Sequence, residues 1–241
     1  MKKSSLLLVS ILFASILSFG QTTSIGFFGG ANFSSINGTY FAHSYSSTVS
    51  KNSTGMQFGL IFDYHFSESL SLYSDPAYIQ KGFKYENDME SIGGPGFSGE
   101  NNFQYVQLPI TLKLKLFKSK VFYVRSGLYM SFLLKARVND EFSYTIYPGI
   151  PTTEYADEDI KNEMNSSTLG FVMATGADIP LSSKLNLIID ASYMMDISDA
   201  MKDTQNNYYP WPSGNSSKLY PTIGSVRNSS FVLSAGLAFN L

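Results

Sequence analysis

Residues 55–66 read GMQFGLIFDYHF. Met56, Phe58, Leu60, Phe62, Tyr64 and Phe66 occupy every second position, and Gly55, Gln57, Gly59, Ile61, Asp63 and His65 fill the places between. Successive side chains of a β-strand point to opposite faces. The stretch is therefore a strand with one bulky apolar face and one small or polar face, broken only by Ile61. Residues 105–116 repeat the pattern, with Val106, Leu108, Ile110, Leu112, Leu114 and Leu116 against Tyr105, Gln107, Pro109, Thr111, Lys113 and Lys115. So do residues 184–197, where Leu185, Leu187, Ile189, Ala191, Tyr193 and Met195 oppose Lys184, Asn186, Asp190, Ser192 and Asp196.

Less regular versions lie at 23–34, 69–83, 120–136, 167–180 and 229–241, which makes eight segments in all. Each is about 11–16 residues long, against the five or six of an ordinary strand. A tilted strand that crosses a bilayer needs about 9–11 residues in the hydrocarbon. The connections alternate as well. Short turns fall at Phe66–Ser69, Phe117–Lys120 and Pro180–Ser183, and long polar segments at 35–53, 85–102, 138–166 and 198–228. Short periplasmic turns and long outer loops are the habit of a transmembrane barrel, and an even strand number leaves both termini in the periplasm.

The ends and the composition agree. The chain opens MKKSSLLLVSILFASILSFGQ, in which Lys2 and Lys3 precede an apolar run and Ser18 and Gly20 fit a cleavage site. Residues 1–20 are expected to be a secretory signal peptide and 21–241 a barrel domain. With no cysteine the chain has no disulfide, thiolate metal site or lipoprotein anchor. Charged residues make up 15% and net charge is −2, which excludes a basic nucleic-acid footprint. A soluble lipocalin-like barrel is the competing architecture, with its apolar face turned inward on a ligand. Its exterior would be the second face, and that face holds too much Gly and Ser for a charged exterior.

Several segments resemble the PorT-like outer-membrane β-barrel family of Bacteroidota: GFFGGANFSS at Gly26–Ser35, YIQKGF at Tyr78–Phe83, YVQLPITLK at Tyr105–Lys113 and SGLYMSFLL at Ser126–Leu134. Gln107 stands where that family usually has an acid and Leu128 where it often has proline. The resemblance implies an outer-membrane barrel. The family's name-giving member is linked to protein secretion and gliding machinery.

Candidate chemistry is sparse. His43 lies in the first long segment with no Gly-x-Ser-x-Gly elbow or zinc-binding partner near it, and His65 ends a strand facing inward. Glu154, Asp157, Glu158, Asp159 and Glu163 cluster around Lys161 without calcium-loop spacing and read as a solvated loop. Tyr208, Tyr209, Trp211 and Tyr220 could stack on a glycan or a protein partner. The inward faces carry Asp63, Asp75, Lys81, Lys113, Lys115, Arg125, Asp178, Lys184 and Asp190. Desolvated charges must pair, so Arg125 is expected to meet at least one of Asp63, Asp75 and Asp190.

The expectation is an all-β, eight-stranded antiparallel up-and-down transmembrane barrel in the outer membrane, with a side-chain-filled lumen. It is expected to act as a structural or interaction protein displaying its loops, with no catalytic residue, cofactor or metal. Its expected partners are outer-membrane lipid, the barrel-assembly machinery during insertion, and an envelope protein or glycan. A small-solute channel and a component of a secretion or gliding complex are the alternatives.

Overall fold

The computed structural model describes residues 23–37, 49–87, 96–117, 119–147, 150–202 and 226–241. The strands are β1 (Thr23–Asn37), β2 (Val49–His65), β3 (Leu70–Ser74), β4 (Ala77–Asn87), β5 (Gly96–Lys115), β6 (Phe122–Tyr147), β7 (Ile150–Asp159), β8 (Ser167–Pro180), β9 (Leu185–Asp196) and β10 (Arg227–Asn240). Every pairing is antiparallel. β1 pairs with β2, β2 with β3 and β4, both of these with β5, and then β5–β6, β6–β8, β8–β9 and β9–β10 follow. The ladder from Ser24↔Asn240 to Asn37↔Arg227 joins β10 back to β1. Nine strands thus form a ring-like sheet, and β7 pairs with β6 outside it.

The orientation of the faces follows from exposure. Leu60 and Leu112 are 54% and 57% exposed, while their strand neighbours Thr111 and Gln57 are 1% and 4% exposed. While a smaller set that includes Ile61, Ile79 and Phe83 turns inward, exposed large apolar residues lie on every strand of the ring except β4, from Phe27 on β1 to Phe239 on β10. A soluble barrel would bury them. This one wraps them around its exterior, as a wall facing lipid must.

The segment at 69–83 is two strands rather than one. Tyr73↔Thr111 and Ala77↔Gln107 frame a gap in which Asp75 lies opposite Pro109 and Pro76 opposite Leu108. Pro76 and Pro109 lack N–H groups, so the ladder cannot continue there. Leu60 N donates to the Pro76 carbonyl (3.0 Å) and Ser74 Oγ to the Pro109 carbonyl (2.7 Å), so both acceptors are satisfied.

Two of the short turns share one construction. Leu70 O accepts from Phe66 N and Ser67 N, and Ser67 Oγ accepts from Leu70 N at 3.1 Å. Leu185 O accepts likewise from Leu181 N and Ser182 N, and Ser182 Oγ accepts from Lys184 N. A serine hydroxyl bonding backbone further along is the usual chemistry of such turns. The turn between β5 and β6 instead holds Phe117 and Lys120 at φ of 59° and 51°. Lys120 pairs with Glu68 in the neighbouring turn, and that bond and charge hold the Glu68 carboxyl below its usual range.

The wall is taller on one side. β5 has 20 residues and β6 has 26, against 14 in β8 and 12 in β9. Parts of 85–102 and 138–166, expected to be loops, are therefore strand. Above the lipid neither face needs to be apolar, so these stretches lack the one-sided alternation that marks the rest. The acidic residues Asp157 and Asp159 lie on β7, where Asp157 accepts from Arg137 at 2.8 Å.

At the loop end the ring is covered. Met164 and Met201 form an isolated bridge, Lys202 N donates to Glu163 O and Ala200 N to Val226 O. Ile160, Met164, Ala200, Met201 and Val226 are buried with Phe83, Phe103, Tyr105 and Val138 in one apolar cluster.

The outward orientation has a direct consequence. Leu60→Arg or Leu112→Arg is expected to cost about 2–4 kcal/mol in lipid. Thr111→Ser, which keeps the hydroxyl that bonds the Tyr73 carbonyl, should cost about 1 kcal/mol or less. Urea unfolding in lipid vesicles reads the difference, and the reverse ranking would contradict this orientation.

Candidate functional site

The inward faces meet in a lumen filled by three charged groups at successive heights. Nearest the short turns, Lys113 Nζ donates to Asp63 Oδ2 at 2.8 Å and Asp178 Oδ2 at 3.4 Å. Lys115 Nζ lies 3.0 Å from the same Asp178 oxygen, and His65 Nε2 lies 3.7 Å from Asp63 Oδ2. β2, β5 and β8 thus each supply a member, two of them next to a turn.

At mid-height Arg125 holds two carboxylates at once. Nη1 and Nη2 donate to Asp75 at 3.1 and 2.9 Å, and Nε and Nη2 donate to Asp190 at 3.0 Å each. The planar guanidinium fork suits paired bonds of this kind. Tyr123 Oη donates to Asp190 Oδ2 at 2.7 Å. The break in the wall between β3 and β4 is where Asp75 enters the lumen. The Tyr73 ring lies beside both heights, its centroid 4.9 Å from Lys113 Nζ and 4.8 Å from Arg125 Cζ. Cations over an aromatic face gain electrostatically where water is excluded.

Towards the loop end, Asp196 accepts from Tyr129 Oη at 2.6 Å and from Asn228 Nδ2 at 2.8 Å. Lys81 Nζ lies 3.7 Å from Asp196 Oδ1 and 4.8 Å from the Tyr129 ring. Between this group and the Arg125 group, Gln107 donates to Met194 Sδ and accepts from Ser131 Oγ.

Glycines make room for the tyrosines. Gly176 stands opposite Tyr123 and Gly170 opposite Tyr129 in the β6–β8 register. A Cβ at Gly170 would run into the Tyr129 ring, and one at Gly176 into the Tyr123 hydroxyl and the Ile189 carbonyl. These two glycines of the polar face are thus the receptacles of cross-strand tyrosines.

Of the residues singled out from sequence, Arg125, Asp75 and Asp190 come together, while Asp63 belongs to the Lys113 group. Lys184 is not in the lumen: it is exposed at the turn before β9, where its carbonyl still accepts from Asn240 N. His43, Tyr208, Tyr209, Trp211 and Tyr220, like residues 1–20 with their expected signal peptide, lie outside the described residues. Among the described residues no group of three or more His, Asp or Glu side chains is placed to hold a metal ion. Sequence reasoning missed Asp196 as a partner, and Tyr73 and Tyr129 as lumen residues. The available signal was each tyrosine's place on the polar face of its strand.

An antiparallel ring with an apolar exterior and a polar, desolvated interior is a membrane-spanning β-barrel. Residues 17–202 match the model of the outer membrane protein beta-barrel domain, and the chain belongs to that family. Its place is the outer membrane. No curated protein matches the sequence. Similar solved structures include Ail, the attachment invasion locus protein of Yersinia pestis, crystallised with the heparin analogue sucrose octasulfate. It is 13% identical, with 90% of this chain and 99% of that chain covered and a TM-score of 0.41. Neisserial surface protein A is 12% identical, covering 89% and 96%, with a TM-score of 0.38. OprG from Pseudomonas aeruginosa is 12% identical, covering 92% and 96%, with a TM-score of 0.38.

Arg125→Leu leaves two carboxylates buried against each other and is expected to destabilise the barrel by about 3–5 kcal/mol. Adding Asp75→Asn and Asp190→Asn removes the stranded charges and should recover a large part of that loss. Unfolding midpoints of the single and triple variants in vesicles check this. A triple variant no better than the single would show that packing, not charge pairing, holds this height together.

Proposed function

We propose that the chain is an eight-stave barrel, β3 and β4 forming one stave, that works as a closed platform for its outer segments. Residues 1–20 would serve as its export signal. The observation that carries this reading is the lumen itself. Arg125, Lys113, Lys81, Asp63, Asp75, Asp190 and Asp196 are all buried, each in contact with an opposite charge. An interior of eight staves is just wide enough for side chains to fill. The apolar cluster at the loop end adds a second seal. A solute path would have to break several desolvated ion pairs and then cross a dry layer.

The motifs at Tyr78–Phe83 and Tyr105–Lys113 support a PorT-like branch in Bacteroidota. Gln107, which replaces the usual acid, is buried and bonded to Ser131 and Met194. No secretion or gliding role is carried over. The sequence of the fourth outer segment, with Tyr208, Tyr209, Trp211 and Tyr220, supports recognition of a glycan or an envelope protein.

Planar-bilayer recording on the refolded protein tests closure. The expected trace is silent, without unitary steps, over a range of salt and voltage. Reproducible unitary conductance from the unmodified chain would replace this reading with the small-solute channel.

A further inference from the structure

The tall side of the wall ends on an open strand. β7 pairs with β6 from Arg137↔Asp159 to Tyr147↔Ile150, and among the described residues nothing pairs with its other edge. β8, which lies beside β6 lower down, reaches only to Phe132↔Ser167. The upper part of β6 is therefore followed by β7 alone.

The orientation of the free backbone groups can be read from the ladder. Ile160 N donates to Ala136 O at 3.2 Å, and the register places residue 160 opposite 136. In an antiparallel pair, residues that turn N–H and C=O to the partner alternate with residues that turn them away. Residues 158, 156 and 154 therefore face β6, and Asp159, Asp157, Tyr155 and Thr153 present backbone donors and acceptors to the open side. An open edge of this length is a template for one more strand.

Charge selects among possible strands. Residues 137–159 contain six acids (Asp140, Glu141, Glu154, Asp157, Glu158 and Asp159) against one base, Arg137. The rest of the chain is thus close to neutral or slightly basic, given a net charge of −2 overall. A second copy of this hairpin would bring like charges together, and so would any acidic strand.

We propose that the open edge of β7 is a docking site for an extended basic peptide segment of a partner protein, which adds as a strand beside β7. The proposal rests on the reading of the barrel as a display platform and names the class of partner. Backbone bonds to Thr153, Tyr155, Asp157 and Asp159 supply the register. The acids of the hairpin supply the preference for Lys- and Arg-bearing strands.

The test uses the full-length protein in lipid nanodiscs and two ten-residue probes, one alternating arginine with threonine and one alternating glutamate with threonine. The arginine probe is expected to bind at least about tenfold more tightly, and to weaken as salt is raised. Tyr155→Pro removes an outward N–H without touching the β6 ladder, as proline on an edge strand does. It should weaken the arginine probe about tenfold or more, while Tyr155→Thr, which keeps the N–H, should not. Equal binding of the two probes, or no difference between the two variants, would overturn the proposal. Binding only after deletion of residues 203–225 would assign the edge to the chain's own outer segment, and disulfide-linked dimers of Tyr155→Cys to a second copy. Either result overturns it too. Conductance recorded on the same preparation separates this outcome from the platform reading: a silent barrel that ignores the probes loses only the peptide site.

Discussion

Within a bilayer a backbone N–H or C=O has no water to bond, so each must find its partner inside the protein. A sheet meets that demand only if its last strand returns to its first. The β1–β10 ladder is therefore the contact on which the rest depends. Once the ring is closed, each strand has a lipid side and a lumen side, and the period-two alternation assigns every residue to one of them. The break between β3 and β4 shows the same constraint at work. Where Pro76 and Pro109 stop the ladder, the Leu60 amide and the Ser74 hydroxyl take over the stranded carbonyls.

Closing the ring creates an interior that must be filled from the polar face, and this decides the character of the lumen. Small residues alone would leave voids, and unpaired charges would be costly. The chain answers with acids and bases drawn from different strands, arranged so that Arg125 bridges Asp75 and Asp190 while Lys113 bridges Asp63 and Asp178. Tyr73 and Tyr123 fill the space between these heights, Tyr123 seated over Gly176 on the adjacent strand. The charged groups therefore act as lateral ties between staves as well as a plug, since each connects strands that are not neighbours in sequence.

Much of this could be read before the structure. The alternation in GMQFGLIFDYHF and its counterparts marks the strands because lipid imposes one apolar face. The turns Phe66–Ser69 and Pro180–Ser183 are legible because serine chemistry is local. The strand extensions into 138–166 were not legible: above the lipid the apolar requirement disappears, and Arg137, Asn139 and Asp157 give no periodic signal. The break at Asp75 was hidden in a run that still alternates around Pro76. In the lumen, signs of charge and rough heights could be counted from the turns, but barrel shear shifts each strand against the next. That is why Asp63 is found with Lys113 and not with Arg125, and why Asp196, at the far end of β9, escaped notice as the partner of Lys81.

The central claim is a closed ring whose bulky apolar face meets lipid. Because the chain has no cysteine of its own, single cysteines can be introduced in turn from Met56 to Asp63 and spin-labelled in a refolded, vesicle-embedded protein. Collision rates with lipid-soluble oxygen should rise at 56, 58, 60 and 62 and fall at 57, 59, 61 and 63. An alternation of the opposite phase, or high accessibility to a water-soluble nickel complex at the even positions, would contradict the account.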